Sequence, residues 1–349
     1  MKKLGFKGWL TIITLILLVL VIIAAWSEIE RAWELLDQIN LAILALIIPI
    51  QFFSYFATGG MIFSYLGAKG DLHSLSRVKM TRIALELNFV NHVLPSGGAA
   101  GFSYLGWVLS KFGIRAGRAT MAQIVRFTLT FLSFIVLLLL AVLFLIIDEQ
   151  INRTVIALSS ILAVAAVGGT IGVMYLLNSE KRLQRFANWL TRLVNRFMNK
   201  VSRGKKPRVL KRAVLLDFFG DLYTDYAAIR KDGRILIRPF IWAILANMAD
   251  IALLWVAFWS LGYMVNPAVL LVAFGLSSIA GAFTATPGGA GVYEAIMITF
   301  LASTGVPPEV AIAGTLLARV TLVLGTIAFG YAFYQHRIST DGRRPPLRQ

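Results

Sequence analysis

The feature that most constrains this chain is a short motif, rich in proline and glycine, that occurs twice within apolar sequence. Residues 95–101 read Pro-Ser-Gly-Gly-Ala-Ala-Gly, and residues 287–291 read Pro-Gly-Gly-Ala-Gly. Proline and glycine interrupt helices, and non-helical backbone at membrane depth is tolerated only where protein or a polar cavity satisfies it. Paired interruptions in corresponding halves of a membrane protein indicate a transport site.

The similarity extends beyond the two motifs. Gly113 and Gly305 lie at the same distance along the chain from the proline of their own motif. Arg126 and Arg319 also follow these prolines at matching distances, with a difference of a single position. Each motif is therefore the start of a longer repeated unit.

The composition places the chain among polytopic membrane proteins. Of its 349 residues, 58% are hydrophobic and 15% are charged, against about 25% charged in soluble domains, and the mean hydropathy is +0.75. The chain has no cysteine, and its three histidines do not follow a zinc-binding spacing, so we expect no disulfide, metal site or cofactor. We predict an all-α polytopic fold, with one transmembrane domain over residues 1–349.

Six apolar runs are long enough to cross a hydrocarbon core of about 30 Å, which takes roughly 20 helical residues. The predicted full spans are 10–25, 41–66, 119–147, 154–177, 239–261 and 309–334. Loops rich in Lys and Arg face the cytoplasm, so the net charge of +17 indicates contact with anionic lipid rather than nucleic acid. The charge bias predicts a multi-pass protein of the cell (cytoplasmic or inner) membrane, with both termini in the cytoplasm.

Each motif joins two short arms. The first pair of arms, 83–94 and 102–110, is flanked by basic segments on both sides, so we predict a re-entrant hairpin that dips in from the cytoplasm. The second hairpin lies between segments predicted to be outside, or else its first arm, 268–283, crosses fully. The repeat units, 78–147 and 267–334, then have opposite orientations, as in the inverted repeats of secondary transporters.

The loop 178–238 carries 16 Lys and Arg against 5 Asp and Glu. Its first half alternates basic and apolar residues at helical spacing, which predicts an amphipathic helix that lies on anionic lipid or caps the bundle. Further along, Asp217, Asp221 and Asp225 recur every four residues, and we interpret them as a solvated helix face.

Five ionisable side chains fall at membrane depth, where each costs about 3 kcal/mol without a partner or a polar cavity. They are Glu86, Arg126, Asp250, Glu294 and Arg319. One interpretation pairs the two arginines with the acids to hold the bundle together. The other places the arginines in a phosphate site, because guanidinium binds phosphate through parallel hydrogen bonds and glycine-flanked helix N-termini present unpaired amides.

The second interpretation adds hairpin residues to the candidate substrate-binding site. They are Asn91, Ser96, Gly97, Gly98, Gly288 and Gly289. Asp250, Glu86 or Glu294 would then carry a driving proton, since the chain has no ATP-binding motif. No nucleophile is paired with a base at a recognisable spacing, so we expect no catalytic residue.

The two repeats resemble a known family, the flippase-like membrane domain of lysylphosphatidylglycerol synthetases, also called multiple peptide resistance factors. The matching positions are 95–98, Gly113, Arg126, 287–294, 305–307, Ala311 and Arg319. That family is associated with the movement of aminoacylated phospholipids between leaflets, so the resemblance implies lipid translocation. Because the chain ends at Gln349, we expect a stand-alone form without the synthetase domain.

We predict a lipid flippase or translocase, not an enzyme, that moves a phospholipid or a polyprenyl-phosphate lipid between leaflets. Its expected partners are membrane lipids, either anionic or aminoacylated phospholipid or polyprenyl phosphate, together with a second copy of the chain or a separate lipid-synthesis enzyme, and no nucleic acid. Two alternatives stay open. One is an intramembrane enzyme that acts on a lipid phosphate with the same carboxylates as acid or base. The other is a subunit that presents lipid to a separate synthetase.

Overall fold

A computed structural model of the chain describes residues 39–72, 75–93, 99–147, 153–201, 212–282 and 289–341. Within these ranges the regular structure is helical, which confirms the predicted all-α fold class. The helices are α1 (Ile47–Ala68), α2 (Arg77–Val93), α3 (Ala99–Ser110), α4 (Ala116–Ile147), α5 (Arg153–Leu177), α6 (Glu180–Val201), α7 (Arg212–Lys231), α8 (Ile237–Ser260), α9 (Pro267–Ala282), α10 (Val292–Ser303) and α11 (Pro308–Asp341). A helical turn, Leu41–Leu44, precedes α1, and a 3-10 turn, Gly233–Leu236, precedes α8.

Four helical segments are long and apolar enough to cross a membrane. They are Leu41–Ala68, Ala116–Leu143, Gly233–Ser260 and Pro308–Ser339. The predicted span 154–177 coincides with α5, a helix of 25 residues, and the predicted span 10–25 lies outside the described residues. The described part of the chain is therefore a multi-pass membrane bundle.

Two pairs of short helices occupy the positions of the predicted hairpins. Helices α2 and α3 have 17 and 12 residues, and α9 and α10 have 16 and 12. At about 1.5 Å per residue, even the longest of these arms measures about 26 Å, less than a hydrocarbon core of about 30 Å. The two arms of each pair pack against each other. The first arm begins at Arg77, six residues before the predicted start, and the tips 94–98 and 283–288 lie outside the described residues.

Segments predicted to face the cytoplasm gather at one end of the bundle, called here the basic end. Arg118, at the start of α4, donates to Asp71 after α1 at 2.7 Å and to Asp225 in α7 at 2.8 Å. At the far end, the backbone N–H of Asn40 donates to the carbonyl of Ser260 at 2.8 Å, joining the start of the first span to the end of α8. The pair α2 and α3 begins and ends at the basic end.

The pair α9 and α10 begins and ends at the far end instead. Helix α9 follows the end of α8, and α11 returns from α10 to the basic end, where Arg82 in α2 donates to the carbonyl of Phe333 at 3.2 Å. The two helix pairs therefore enter the bundle from opposite ends.

Helix α6 packs its apolar face on the bundle. Leu183 and Ala187 are buried, and the ring of Phe186 stands edge-on to that of Phe219, with 5.7 Å between centroids. These contacts favour the bundle-capping interpretation of this helix, while Trp189 on the same helix is 52% exposed.

The acidic residues of α7 are not a uniformly solvated face. Asp225 is 3% exposed and lies between Arg118 and Lys69, so the prediction is wrong at this position. The reason is that α4 packs over this side of α7. Burial raises the pKa of Asp225, and the charges of Arg118 and Lys69 oppose that rise. Asp221 is more exposed and lies 3.7 Å from Arg115.

The basic end offers a stability test. Arg118→Ala should destabilise the protein by about 3 kcal/mol, because it leaves Asp225 and Asp71 without their shared cation. Arg115→Ala is the matched control, since the Arg115 side chain is 82% exposed and its removal should cost less than about 0.5 kcal/mol. Melting temperatures of the detergent-purified variants check this, and equal losses for both variants would contradict it.

Candidate functional site

A band of polar side chains crosses the middle of the bundle between two apolar clusters. One apolar cluster lies towards the basic end and includes Leu66, Leu109 and Ile338, and the other lies towards the far end and includes Phe258 and Leu301. The polar side chains between them, called here the central cluster, are Gln51, Ser54, Tyr55, His92, Arg126, Asp250, Tyr293, Glu294, Arg319 and Thr326.

The two repeat-related arginines reach the same depth from opposite ends. Arg126 is the eleventh residue of α4, which starts at the basic end, and Arg319 is the twelfth residue of α11, which starts at the far end. At about 1.5 Å per residue, each lies about 15 to 17 Å along its helix, near the middle of a hydrocarbon core of about 30 Å.

Arg319 has an acidic partner. Its Nε lies 2.6 Å from Oε1 of Glu294, and its guanidinium lies over the ring of Tyr293, 4.8 Å from the centroid. The other carboxylate oxygen of Glu294 accepts the backbone N–H of Gly291 at 2.6 Å, which holds the carboxylate at the first turn of α10. Arg319 therefore fits the interpretation in which a buried arginine pairs with an acid to hold the bundle together.

Arg126 has no such partner among the described residues. The residue is 8% exposed, its Nε makes no hydrogen bond there, and no described carboxylate forms an ion pair with it. Its guanidinium lies over the ring of Phe127, 4.3 Å from the centroid, and that ring stacks on Phe102 in the first turn of α3.

The repeat accounts for this difference between the arginines. Glu294 follows Pro287 by seven residues, and the residue seven positions after Pro95 is Phe102. The second repeat thus supplies a carboxylate for its arginine, whereas the first repeat has an aromatic ring in the corresponding place. Arg126 is left as a buried cation because its own repeat lacks the acid.

His92 lies near both arginines. It lies in the last turn of α2, at the tip of the first helix pair, and interacts electrostatically with both Arg126 and Arg319. Its Nδ1 lies 2.8 Å from the carbonyl of Asn88. Because a carbonyl only accepts, Nδ1 donates this hydrogen bond. The last turn of α2 therefore lies near both guanidinium groups.

Asp250 approaches the cluster from α8. Its Oδ1 accepts the hydroxyl of Ser54 at 2.6 Å, and it interacts electrostatically with Tyr293. No described cation forms an ion pair with Asp250. Asn247, one turn earlier, turns away from it and donates to Ser133 on α4 at 2.6 Å.

The first repeat contributes further polar atoms without described partners. Oδ1 of Asn91 and both side-chain atoms of Gln123 are buried and make no hydrogen bond to a described residue. Asn91 packs against Gly101 at the start of α3, and Gln123 precedes Arg126 by less than one turn of α4. Of the remaining predicted hairpin residues, Gly289 is among the residues that the structure describes. Ser96, Gly97, Gly98 and Gly288 lie outside the described residues.

Glu86 belongs to a different cluster. It is 0% exposed and accepts hydrogen bonds from Arg82 at 2.9 Å, from the hydroxyl of Tyr104 at 2.6 Å and from Arg337. These contacts join α2, α3 and α11 nearer the basic end, about 9 Å along α2 from His92. The structure does not bring Glu86 together with Arg126 and Arg319.

Sequence reasoning missed several members of these clusters. Arg337 follows the last predicted span and was not singled out from the sequence, but it is 7% exposed and hydrogen-bonds to Glu86. Gln51 and Tyr55 recur at helical spacing within an apolar span, a signal of a polar face that the sequence does carry. Tyr55 hydrogen-bonds to Thr326 and accepts from Gln51 at 2.8 Å, linking α1 to α11.

Comparison with known proteins agrees with this architecture. Residues 10–330 match the family described as Lysylphosphatidylglycerol synthase TM region. The chain belongs to this family. A "UPF0104 membrane protein" of Methanothermobacter thermautotrophicus is 24% identical over 245 residues, and one of Methanocaldococcus jannaschii is 22% identical over 247 residues. Each alignment covers 70% of this chain and 70% of the relative. The resemblance inferred from the two motifs is therefore confirmed.

The second hairpin requires glycine at position 289, directly after its tip. Gly289 has a φ of 77°, and a Cβ built there would lie 2.7 Å from Cα of Gly281 on α9. Gly289→Ala should therefore destabilise the protein by about 1–3 kcal/mol. Gly106→Ala is the control, because nothing lies within 4 Å of its Cβ position in α3 and alanine favours helix. A melting temperature of Gly289→Ala equal to that of Gly106→Ala would contradict the close packing.

Glu86 offers a test of a structural role. Glu86→Gln should cost about 3–5 kcal/mol, because Arg82 and Arg337 lose their shared buried counter-charge. The exposed Glu309, in the first turn of α11, provides the control Glu309→Gln, which should change stability by no more than about 1 kcal/mol. Lipid binding per folded molecule should be the same in both variants, measured on retained lipid by mass spectrometry. If Glu86→Gln protein is stable but loses its bound lipid, Glu86 is part of the substrate-binding site.

Proposed function

We propose that this protein binds the phosphate of a membrane lipid between Arg126 and Arg319 and moves that lipid between leaflets. The observation that carries the proposal is the burial of Arg126. The residue is 8% exposed, and its guanidinium has no described carboxylate partner. A charge buried at membrane depth is strongly disfavoured without a counter-charge. A phosphate group supplies both the negative charge and the hydrogen-bond acceptors that this guanidinium lacks.

The position of His92 supports a site shared by both repeats. Since His92 lies near both arginines, a phosphate bound beside it would be near two guanidinium groups. Arg319 is already paired with Glu294, so an incoming phosphate competes with that carboxylate for one arginine and meets the other unopposed. Binding would thereby couple the tip of the first helix pair, at His92, to the first turn of α10, at Glu294.

Asp250 suggests a place for a cationic headgroup. It is a carboxylate at membrane depth with a hydroxyl partner and no described cation partner, and it lies near Tyr293, the residue beside Glu294. A phospholipid with both a phosphate and an ammonium group, such as an aminoacylated phospholipid, would give Arg126 an anion and Asp250 a cation. A polyprenyl phosphate would satisfy Arg126 alone.

Transport rather than simple binding is favoured by the two helix pairs. They enter the bundle from opposite ends, and His92 of the first pair and Glu294 of the second lie near the two arginines. A site between the pairs can therefore be opened towards either side by movement of one pair. The basic segments on both sides of the first pair support a cytoplasmic location for the basic end. We infer an inverted repeat that works by alternating access, in the cell membrane.

The rival functions predict different products. An intramembrane enzyme would release a chemically altered lipid, detectable by mass spectrometry and lost in Glu294→Gln. A lipid-presenting subunit would retain lipid but would not accelerate exchange between leaflets. A downhill lipid scramblase would keep its exchange activity when Glu294 and Asp250 are both replaced by their amides.

The missing carboxylate of the first repeat provides the sharpest test. Phe102→Glu places an acid where the second repeat has Glu294, so it should pair with Arg126 and exclude the lipid phosphate. We expect at least about a 10-fold loss of exchange of a fluorescent phospholipid in proteoliposomes, with no loss of thermal stability. Phe102→Gln is the control of matched shape without charge. If Phe102→Glu protein is stable and exchanges lipid as fast as Phe102→Gln, Arg126 does not hold the phosphate.

A second variant probes the arginine directly. Arg126→Lys keeps the charge and loses the forked geometry, and we expect about a 10-fold weaker lipid affinity with the fold intact. Arg115→Lys, at the exposed basic end, is the control and should bind lipid as the parent protein does. Equal affinity in both variants would contradict a bidentate phosphate contact.

A further inference from the structure

A second cavity lies at the basic end, separate from the central cluster. Its volume is about 940 Å³, and it lies between α1, the start of α2 and the start of α8. Gly60 and Ser64 line it from α1, Met80 lines it from α2, and Trp242 lines it from α8. Gly60 is six residues from Ser54, and Trp242 is eight residues from Asp250, so about 9 to 12 Å of helix separates this cavity from the central cluster.

Aromatic rings form part of the cavity wall, and a glycine on α1 leaves room for one of them. A Cβ at Gly60 would lie 2.5 Å from the indole of Trp242, so glycine is what lets that ring lie against α1. The same indole meets the ring of Phe56 edge-on, with 5.5 Å between centroids. An aromatic wall of this kind accommodates an acyl chain.

The mouth of the cavity carries an excess of positive charge. Arg77, Arg234 and Arg238 line it against one carboxylate, Asp232. That carboxylate accepts the backbone N–H of Arg234 at 3.1 Å, as the cap of the 3-10 turn. None of the three guanidinium groups forms an ion pair or a side-chain hydrogen bond with another described residue. The mouth of the cavity therefore carries three cations against a single carboxylate.

We infer that this cavity binds an anionic phospholipid, with its phosphate among Arg77, Arg234 and Arg238 and one acyl chain beside Trp242. The charge at the mouth selects a lipid with net negative charge, because each arginine near an anionic headgroup contributes favourably and a zwitterionic headgroup offers no net charge to attract. The cavity lies at the end of the bundle that the charge bias places in the cytoplasm, where the anionic leaflet is found. The site takes its own lipid independently of the proposed phosphate site at Arg126.

Trp242 serves as a reporter of an occupied cavity. Phosphatidylglycerol and phosphatidylcholine with brominated acyl chains would be titrated into detergent solutions of the purified protein, and tryptophan fluorescence would be recorded. The chain has eight tryptophans, so the signal of this site is the quenching lost in Trp242→Phe. We expect that part of the quenching to reach its midpoint at an about 5-fold or more lower mole fraction of phosphatidylglycerol than of phosphatidylcholine.

Charge-neutral variants complete the test. Arg77→Gln, Arg234→Gln and Arg238→Gln combined should abolish the preference for phosphatidylglycerol at Trp242. The matched control removes three exposed charges from α6 at the same end, Arg185→Gln, Arg192→Gln and Arg196→Gln, and should keep the preference. If both triple variants lose the preference for phosphatidylglycerol equally, the preference comes from general surface charge and the proposed lipid site is wrong. A preference that survives in Trp242→Phe protein would place the lipid at another tryptophan and also overturn it.

The two lipid sites fail separately in these experiments. Loss of exchange in Phe102→Glu with the Trp242 signal intact bears on the central cluster alone. Loss of the Trp242 preference with exchange at the parent rate bears on the basic-end cavity alone.

Discussion

The cost of burying charge in a membrane governs the middle of this bundle. Each ionisable side chain at that depth needs a counter-charge, hydrogen-bonding partners or a polar cavity. Glu86 meets this requirement with Arg82, Arg337 and Tyr104, and Arg319 meets it with Glu294. Arg126 does not meet it with any described residue, and this residual charge is what distinguishes a candidate binding site from a purely structural ion pair.

The position of that charge follows from the length of the helices and the duplication. The arginines lie eleven and twelve residues into helices that start at opposite ends, so both reach mid-depth. The helices of each short pair are too short to cross the hydrocarbon core. A buried anion is a partner that both guanidinium groups can share.

Sequence predicted the parts of this arrangement that depend on local pattern. The apolar runs, the paired motifs and the matching offsets were sufficient to identify the long helices, the two short pairs and the two arginines. Contacts between distant segments carried no such signal. Glu86 and Arg337 are 251 residues apart, and nothing in the local sequence of either one indicates the other.

Periodicity also failed where packing decided exposure. The aspartates of α7 recur as a solvated face would, but α4 covers Asp225 and supplies Arg118 as its counter-ion. Asn247 and Asp250 are three residues apart on α8. Asn247 hydrogen-bonds to α4, whereas Asp250 hydrogen-bonds to α1. Spacing along one helix assigns residues to a face, and only the neighbouring helices decide which partner each residue meets.

The charges of the central cluster limit what it can bind. Arg126, Arg319, Asp250 and Glu294 carry two positive and two negative formal charges, so the cluster is neutral before a ligand enters. A lipid with a phosphate and one ammonium group preserves that neutrality and can pair with Arg126 and Asp250 together. A lipid phosphate without a cation leaves an excess negative charge at membrane depth, and a proton on one of the two carboxylates would remove it. If the proposed site is correct, these four residues would couple headgroup charge to proton uptake, because the lipid phosphate enters a site whose four charges already sum to zero.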